Sequence, residues 1–292
     1  MSAVWLAGLL TWFTEPLGEP FMQRVLLGAV LAVVTTSLVG TWVVLRGLTF
    51  MGDALAHGMT PGIAIAFVLG INLAVGGLVA ALVMVAGINL IHHRARLRED
   101  TGIGLLFVGM LALGVIIMSR LPSFTSSLAE VLFGDALGVR WDDVALQAVG
   151  AAITLVVILV FYRAFLALSF NEEKAQVLGL HPRAAHFAML TLLALAIVVS
   201  FRSVGILLVF GLLVAPPAAA SLIVRRVPTM MATAVALGIV SVVAGLLISW
   251  HADTSAGATM AGAAVAMFFI VMGIRDLQTM WASWRRRVAL NG

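Results

Sequence analysis

The 292-residue sequence predicts an all-α fold that crosses a membrane, and three observations predict it. The composition is 62% hydrophobic and 10% charged, where a water-soluble domain carries about 45–50% and about 25%. The apolar residues gather in runs of about 17–25, the length a helix needs to cross a hydrocarbon core about 30 Å thick. The charges sit almost entirely between those runs. Such a chain cannot cover its own surface with polar groups, which excludes an ordinary water-soluble enzyme and a disordered polymer. Helices are expected throughout, because lipid offers no water to open backbone groups.

Taken in order, residues 1–20 open on an apolar stretch with Trp5, Trp12 and Phe13 that is too short to span and lacks the positive leader of a signal peptide. It reads as a segment lying in the outer interface. Nine spans are expected at 22–45, 47–70, 73–91, 102–119, 144–168, 184–201, 204–224, 230–250 and 258–274. Only Arg202 separates the sixth from the seventh. Pro216-Pro217 removes two backbone donors from the seventh, so a kinked or broken helix is expected there, as in many transporters. Residues 276–292 form a basic tail, and the whole of 1–292 reads as one transmembrane domain.

Nine spans put the two ends on opposite sides, and basic residues set the orientation. Thirteen of the 17 fall on one side, from Arg46 and Arg94 through Arg225 and Arg226 to Arg285, Arg286 and Arg287; Arg24, Arg120, Arg140 and Arg202 fall on the other. The richer side is expected to be cytoplasmic, with the N-terminus outside and the basic end inside. The outer side collects Glu15, Glu19, Glu130, Asp135, Asp142, Asp143 and Asp253. The high pI, about 10.9, therefore reports topology and not a nucleic-acid ligand.

Motifs narrow the chemistry. Glu173 precedes Lys174, the only lysine, where a phosphate-binding loop needs glycine. There is no His-Glu-x-x-His and no Gly-x-Ser-x-Gly, and the absence of cysteine removes disulfides and thiolate metal sites. Any ATP-driven step must therefore use another polypeptide, and the chain itself is not expected to be an enzyme.

Asp53 is the only acid inside an expected span, and His57 follows on the same helix face. Counted from Arg46 at 1.5 Å per residue, they lie about 10 Å and about 16 Å deep. A charge at that depth costs about 2.5–3.5 kcal/mol or more, and such residues usually mark an ion path. Carboxylate with imidazole suits divalent zinc, manganese or iron. The plainer alternative is a hydrogen bond that only fixes packing. Four-coordinate zinc needs two further ligands, which a second copy of the chain would supply. Ala54, Gly58, Gly62, Ala66 and Gly70 form a small-residue ridge beside the pair, suited to a dimer seam or to packing within the chain, and Pro61 is placed to bend the helix. His251 and Asp253, in the outer loop before the last span, are further candidates for metal contact. His92 and His93 sit in the Arg-rich cytoplasmic loop and read as serving topology, His181 and His186 read as interfacial, and the methionines, Met51 and Met59 included, as lipid-facing and packing residues. Because ligands bind deprotonated, metal uptake is expected to weaken in acid.

Asn171-Glu-Glu-Lys-Ala-Gln-Val-Leu-Gly179 is the longest polar stretch within the membrane region. Asn171 caps, Glu172 and Glu173 sit at the positive helix end, and Gly179 terminates, giving a short cytoplasmic helix able to enter a partner's groove or merely to connect two spans.

Leu45-Arg-Gly-Leu-Thr-Phe-Met-Gly-Asp-Ala-Leu-Ala-His57, followed by Pro61-Gly62, resembles the Asp-Ala-Leu-Ser-His…Pro-Gly signature of the permease subunits of zinc/manganese-type ABC importers. Four later blocks agree in order and spacing: Leu132-Phe-Gly-Asp-Ala-Leu137; Glu173…Ala175…Leu178-Gly179-Leu180; Val204-Gly-Ile-Leu-Leu208 running to Ala215-Pro216; and Ser249…Asp253…Ser255-Ala-Gly257. The resemblance covers residues 26–269. It implies a fold similar to the cobalamin/siderophore-type permeases, a homodimer in a bacterial cytoplasmic membrane, two copies of a cytosolic ATP-binding subunit and an extracytoplasmic metal-binding protein. It implies that Asp53 and His57 line the path of zinc or manganese, with iron a further candidate, and that no cofactor is permanently bound. It also implies that 170–183, with Glu172, Glu173, Ala175, Leu178 and Gly179, is the coupling loop. Ala56 replaces the family's usual serine and Ala256 its proline before Gly257. Two alternatives stand beside it: a secondary metal or proton-coupled carrier needing no ATPase, and a permease for siderophores or cobalamin.

Overall fold

The computed structural model describes residues 15–16, 18–94, 99–120, 138–170, 176 and 179–290. Their elements are helices: α1 (Pro20–Leu45), α2 (Thr49–Gly58), α3 (Thr60–Leu69), α4 (Leu73–Arg94), α5 (Glu99–Met118), α6 (Trp141–Phe170), α7 (Pro182–Ile223), α8 (Val227–Ala252) and α9 (Ala256–Leu290). By length and composition they supply nine candidate spans among the described residues, α2 with α3 making one and α7 making two, Pro182–Phe201 and Val204–Ile223. Each overlaps one of the nine apolar runs read from the sequence.

Local chemistry sets the ends. At the end of α1, Gly47 has φ +69°, the Gly47 N–H donates to the Val44 carbonyl (3.1 Å) and the Leu48 N–H reaches back to the Val43 carbonyl (2.9 Å), a Schellman closure. Gly70, at φ +66°, stops α3. Asn72 Oδ1 then accepts from the Ala74 N–H (2.9 Å) at the start of α4.

The centre of the bundle is α1, which packs on α6, α7 and α8. Its Trp42 is fully buried, edge-on to Tyr162 (5.7 Å) and Phe165 (5.6 Å) of α6. The outer faces expose apolar side chains such as Leu105, Val108, Val156 and Val160. That inversion of a water-soluble surface is what lipid demands.

Three contacts trace α7 beside α1. Arg46 Nη1 donates to His186 Nδ1 (2.6 Å). Buried Gln147 of α6, its amide oriented to satisfy both ends, donates to the Val199 carbonyl (2.7 Å) and accepts from Ser200 Oγ (2.8 Å) and the Ala32 N–H (3.3 Å). A Cβ at Gly40 would strike the Leu213 carbonyl. From 186 to 200 and from 46 to 32 are both fourteen residues, about 21 Å, so the first half of α7 runs antiparallel to α1. A straight helix would then carry Leu213 about 40 Å from His186, yet Gly40 lies only about 9 Å from Arg46. The chain therefore turns back, and it does so at Gly205, the one residue inside α7 with non-helical dihedrals (φ 78°, ψ 155°). The sixth and seventh spans are thus two crossings.

The expected break at Pro216 and Pro217 is not there: α7 continues through both, and its discontinuity lies at Gly205. The prolines leave the Leu212 and Leu213 carbonyls without helical partners. The backbone keeps helical dihedrals through both prolines nonetheless. Gly40, having no side chain, lets α1 approach the Leu213 carbonyl, with the position of its missing Cβ only 3.1 Å from the Pro217 ring.

Candidate functional site

The second span is interrupted at its centre, and the interruption places the ionisable pair. Pro61 opens α3, and its missing N–H leaves the His57 carbonyl without an i+4 donor. The Thr60 hydroxyl donates to that carbonyl instead (2.5 Å). The break is therefore capped one turn after His57, which occupies the last turn of α2. Gly114 of α5 fits against it, since a Cβ there would lie 3.0 Å from Thr60 Cγ2 and 3.3 Å from the Pro61 nitrogen.

On α2, Met51, Gly52, Ala54, Leu55, Ala56 and Gly58 are buried. Asp53 and His57 face away from that packing: their side chains are 33% and 34% exposed, with Asp53 Oδ1 3.6 Å from His57 Nε2. Phe107 of α5 stands edge-on to the imidazole at 6.1 Å and to Phe50 at 5.8 Å, closing one side of the couple. Gly52 abuts the Leu213 side chain, whose carbonyl meets Gly40, so Asp53 sits at the level of Gly40, about 9 Å from Arg46 along α1. An acid and an imidazole this deep, turned out of their own bundle, are expensive against lipid and suited to a path that a second protein surface completes.

The small-residue ridge packs within the chain. A Cβ at Gly58 would meet the Met84 sulfur, and Gly62 and Gly76 press so closely that a Cβ on either would strike the other's carbonyl. The ridge is spent on α4, leaving the Asp53–His57 face free of it. Beside the kink, α3, α4 and α5 border an open groove of about 390 Å³ lined by Pro61, Gly62, Val79, Met110, Leu113 and other apolar residues. With no polar group in its lining, it offers nothing to a cation.

Other candidates fall elsewhere. His251 Nδ1 donates to the Leu247 carbonyl of its own helix (2.9 Å), and Asp253 takes φ +49° as the cap ending α8; both are exposed. Among the described residues no three His, Cys, Asp or Glu side chains cluster as a metal site, and Asp53 and His57 stand together as a pair. Glu172, Glu173, Ala175 and Leu178 lie outside the described residues. Gly179 has φ +69° and donates its N–H to the Gln176 carbonyl (3.0 Å). His186, read from sequence as interfacial, is 9% exposed beneath Arg46. A guanidinium only donates, so Nδ1 accepts and His186 is the neutral Nε2–H tautomer. Phe107 and Thr60 carried no sequence signal beyond their residue types; the proline four residues after His57 is the one cue that its carbonyl needs a donor.

Known proteins share both the sequence and the architecture. The chain is 34% identical over 267 residues to a probable iron transport system membrane protein of Haemophilus influenzae, covering 91% of this chain and 98% of that one. It is 33% identical over 268 residues to the manganese transport system membrane protein MntC of Listeria monocytogenes, covering 92% and 95%. The solved structure of PsaBC from Streptococcus pneumoniae in complex with Fab superposes with a TM-score of 0.77 at 30% identity, covering 93% and 95%. The profile of the ABC 3 transport family matches residues 19–275, and with relatives this similar along nine-tenths of its length the chain belongs to that family of ABC transport permeases.

Proposed function

We propose that the chain is the membrane permease of an ATP-driven importer of a divalent transition metal ion, and that Asp53 and His57 are its ligands for the passing ion. The observation that carries this is the couple itself: carboxylate and imidazole 3.6 Å apart, a third exposed, in the first half of the second span, on a face its own bundle does not cover. A second copy about a two-fold axis supplies the matching pair, giving two oxygens and two nitrogens, a set that serves manganese, ferrous iron and zinc. The relatives' manganese and iron names make those ions the first to test. The chain has no nucleotide loop, so hydrolysis falls to a separate cytosolic ATP-binding subunit, present in two copies, that engages residues 171–180. An extracytoplasmic metal-binding protein delivers the ion to the acidic outer face. The membership in a family of ABC permeases disfavours a stand-alone carrier or proton relay.

The test is uptake of radiolabelled manganese and zinc by vesicles carrying the permease with its ATPase. Asp53→Ala and His57→Ala are expected to abolish uptake while membrane insertion, ATPase binding and basal ATP hydrolysis persist. Wild-type uptake by both variants overturns the site.

A further inference from the structure

Helix α9 runs unbroken to Leu290, but its packing stops well before that. Every residue from 274 to 282 is exposed, including Ile274 (51%), Leu277 (56%), Met280 (57%) and Trp281 (62%). From Ala256 to Gly273 the helix rises about 26 Å, close to one hydrocarbon thickness, so the exposed segment begins where α9 leaves the bilayer core. At about 100° per residue, Ile274, Leu277, Met280, Trp281, Trp284 and Val288 fall within an arc of about 120°. The helical register sets Arg285 and Arg287 about 20° beyond the two edges of that arc, and Arg275 and Arg286 on the opposite face with Thr279. Residues 275–290 carry four arginines and one aspartate, a net charge of +3 (4 − 1). A helix of this length is marginal in water on its own, and a stripe with two tryptophans does not stay wet.

We propose that residues 274–290 form a membrane-surface anchor. The apolar stripe seats in the inner-leaflet interface, and the arginines bind anionic lipid headgroups. Lipid is the occupant the placement favours, because the segment emerges from the bilayer directly at that surface and basic flanks on both sides of an apolar arc fit a headgroup plane. Gly273 meets no neighbouring atom within 4 Å, so the last contacts of α9 with the bundle lie before it. The proposal rests on the inward orientation of this end and on no part of the metal route, so loss of the Asp53–His57 site leaves it standing.

The chain has no cysteine, so single cysteines report cleanly. Full-length Met280→Cys (stripe) and Thr279→Cys (opposite face) carry an environment-sensitive dye in vesicles of phosphatidylcholine with phosphatidylglycerol, or of phosphatidylcholine alone. The dye at 280 is expected to be blue-shifted and shielded from aqueous iodide in the anionic vesicles, while the dye at 279 stays accessible. Arg285→Gln and Arg287→Gln each lower the shielding equilibrium about fivefold, from about 1 kcal/mol per arginine at an anionic surface. Equal quenching at 279 and 280 in both vesicle types overturns the proposal. Shielding that appears only when the ATP-binding subunit is added also overturns it, and assigns the stripe to a protein partner.

Discussion

Replacing Gly40 by alanine tests how α1 and α7 are held together and how that contact reaches the metal couple. The added Cβ lands on the Leu213 carbonyl, and the Pro217 ring is 3.1 Å away. Backbone faces backbone, so no rotamer change relieves the overlap and the two helices must part. Overpacking costs about 1–3 kcal/mol, and contact with main chain puts this case near the top. Alanine's helix preference over glycine returns about 1 kcal/mol, leaving a net loss of about 2 kcal/mol. At about 2–4 °C per kcal/mol, the unfolding midpoint in detergent is expected about 4–8 °C lower. Gly104→Ala is the internal control, because its Cβ meets no atom within 4 Å, and Gly211→Ala is a second, with Ala261 at an ordinary 3.4 Å. Both are expected at or slightly above the wild-type midpoint. Since the Leu213 side chain also covers Gly52, next to Asp53, Gly40→Ala is further expected to lower metal uptake. If Gly40→Ala melts with Gly104→Ala, the close approach of α1 to the proline-opened carbonyl is refuted.

Phe107→Ala removes the ring that stands against His57, and aromatic pairs of this kind are worth about 0.5–1.5 kcal/mol. Transport KM is expected to rise about twofold to twelvefold with little change in maximal rate, and Phe107→Tyr to remain near wild type; unchanged KM in a titrated uptake assay speaks against an orienting role. Thr60→Val leaves the His57 carbonyl without its hydroxyl donor, so a stability loss of about 1 kcal/mol, read by thermal unfolding, should accompany weaker uptake, whereas Thr60→Ser should restore both. Gly205→Ala forces a side chain into φ 78°, ψ 155°, a region costing about 1–3 kcal/mol for other residues, and is expected to lower yield and unfolding midpoint together. A wild-type midpoint there means the reversal does not depend on this backbone conformation.

The number of crossings, the helical class and the Asp53–His57 couple were all legible in the residue order. Hydropathy, charge placement and i, i+4 spacing are local properties, and a bilayer converts them into spans and faces with few alternatives. Tertiary contact decided the rest. Paired prolines predict a broken helix, but whether α7 breaks there depends on Gly40 arriving from another helix to pack against the opened carbonyl, and the actual reversal at Gly205 depends on backbone dihedrals. The ridge from Ala54 to Gly70 was equally suited to a second copy or to its own chain, and only the meeting of Gly62 with Gly76 settled which. The place of His186 near a span end was legible, but its partner Arg46, 140 residues away in sequence, was not. Each of these outcomes turns on which surface is opposite, and that pairing is set by the packing of helices far apart in the chain.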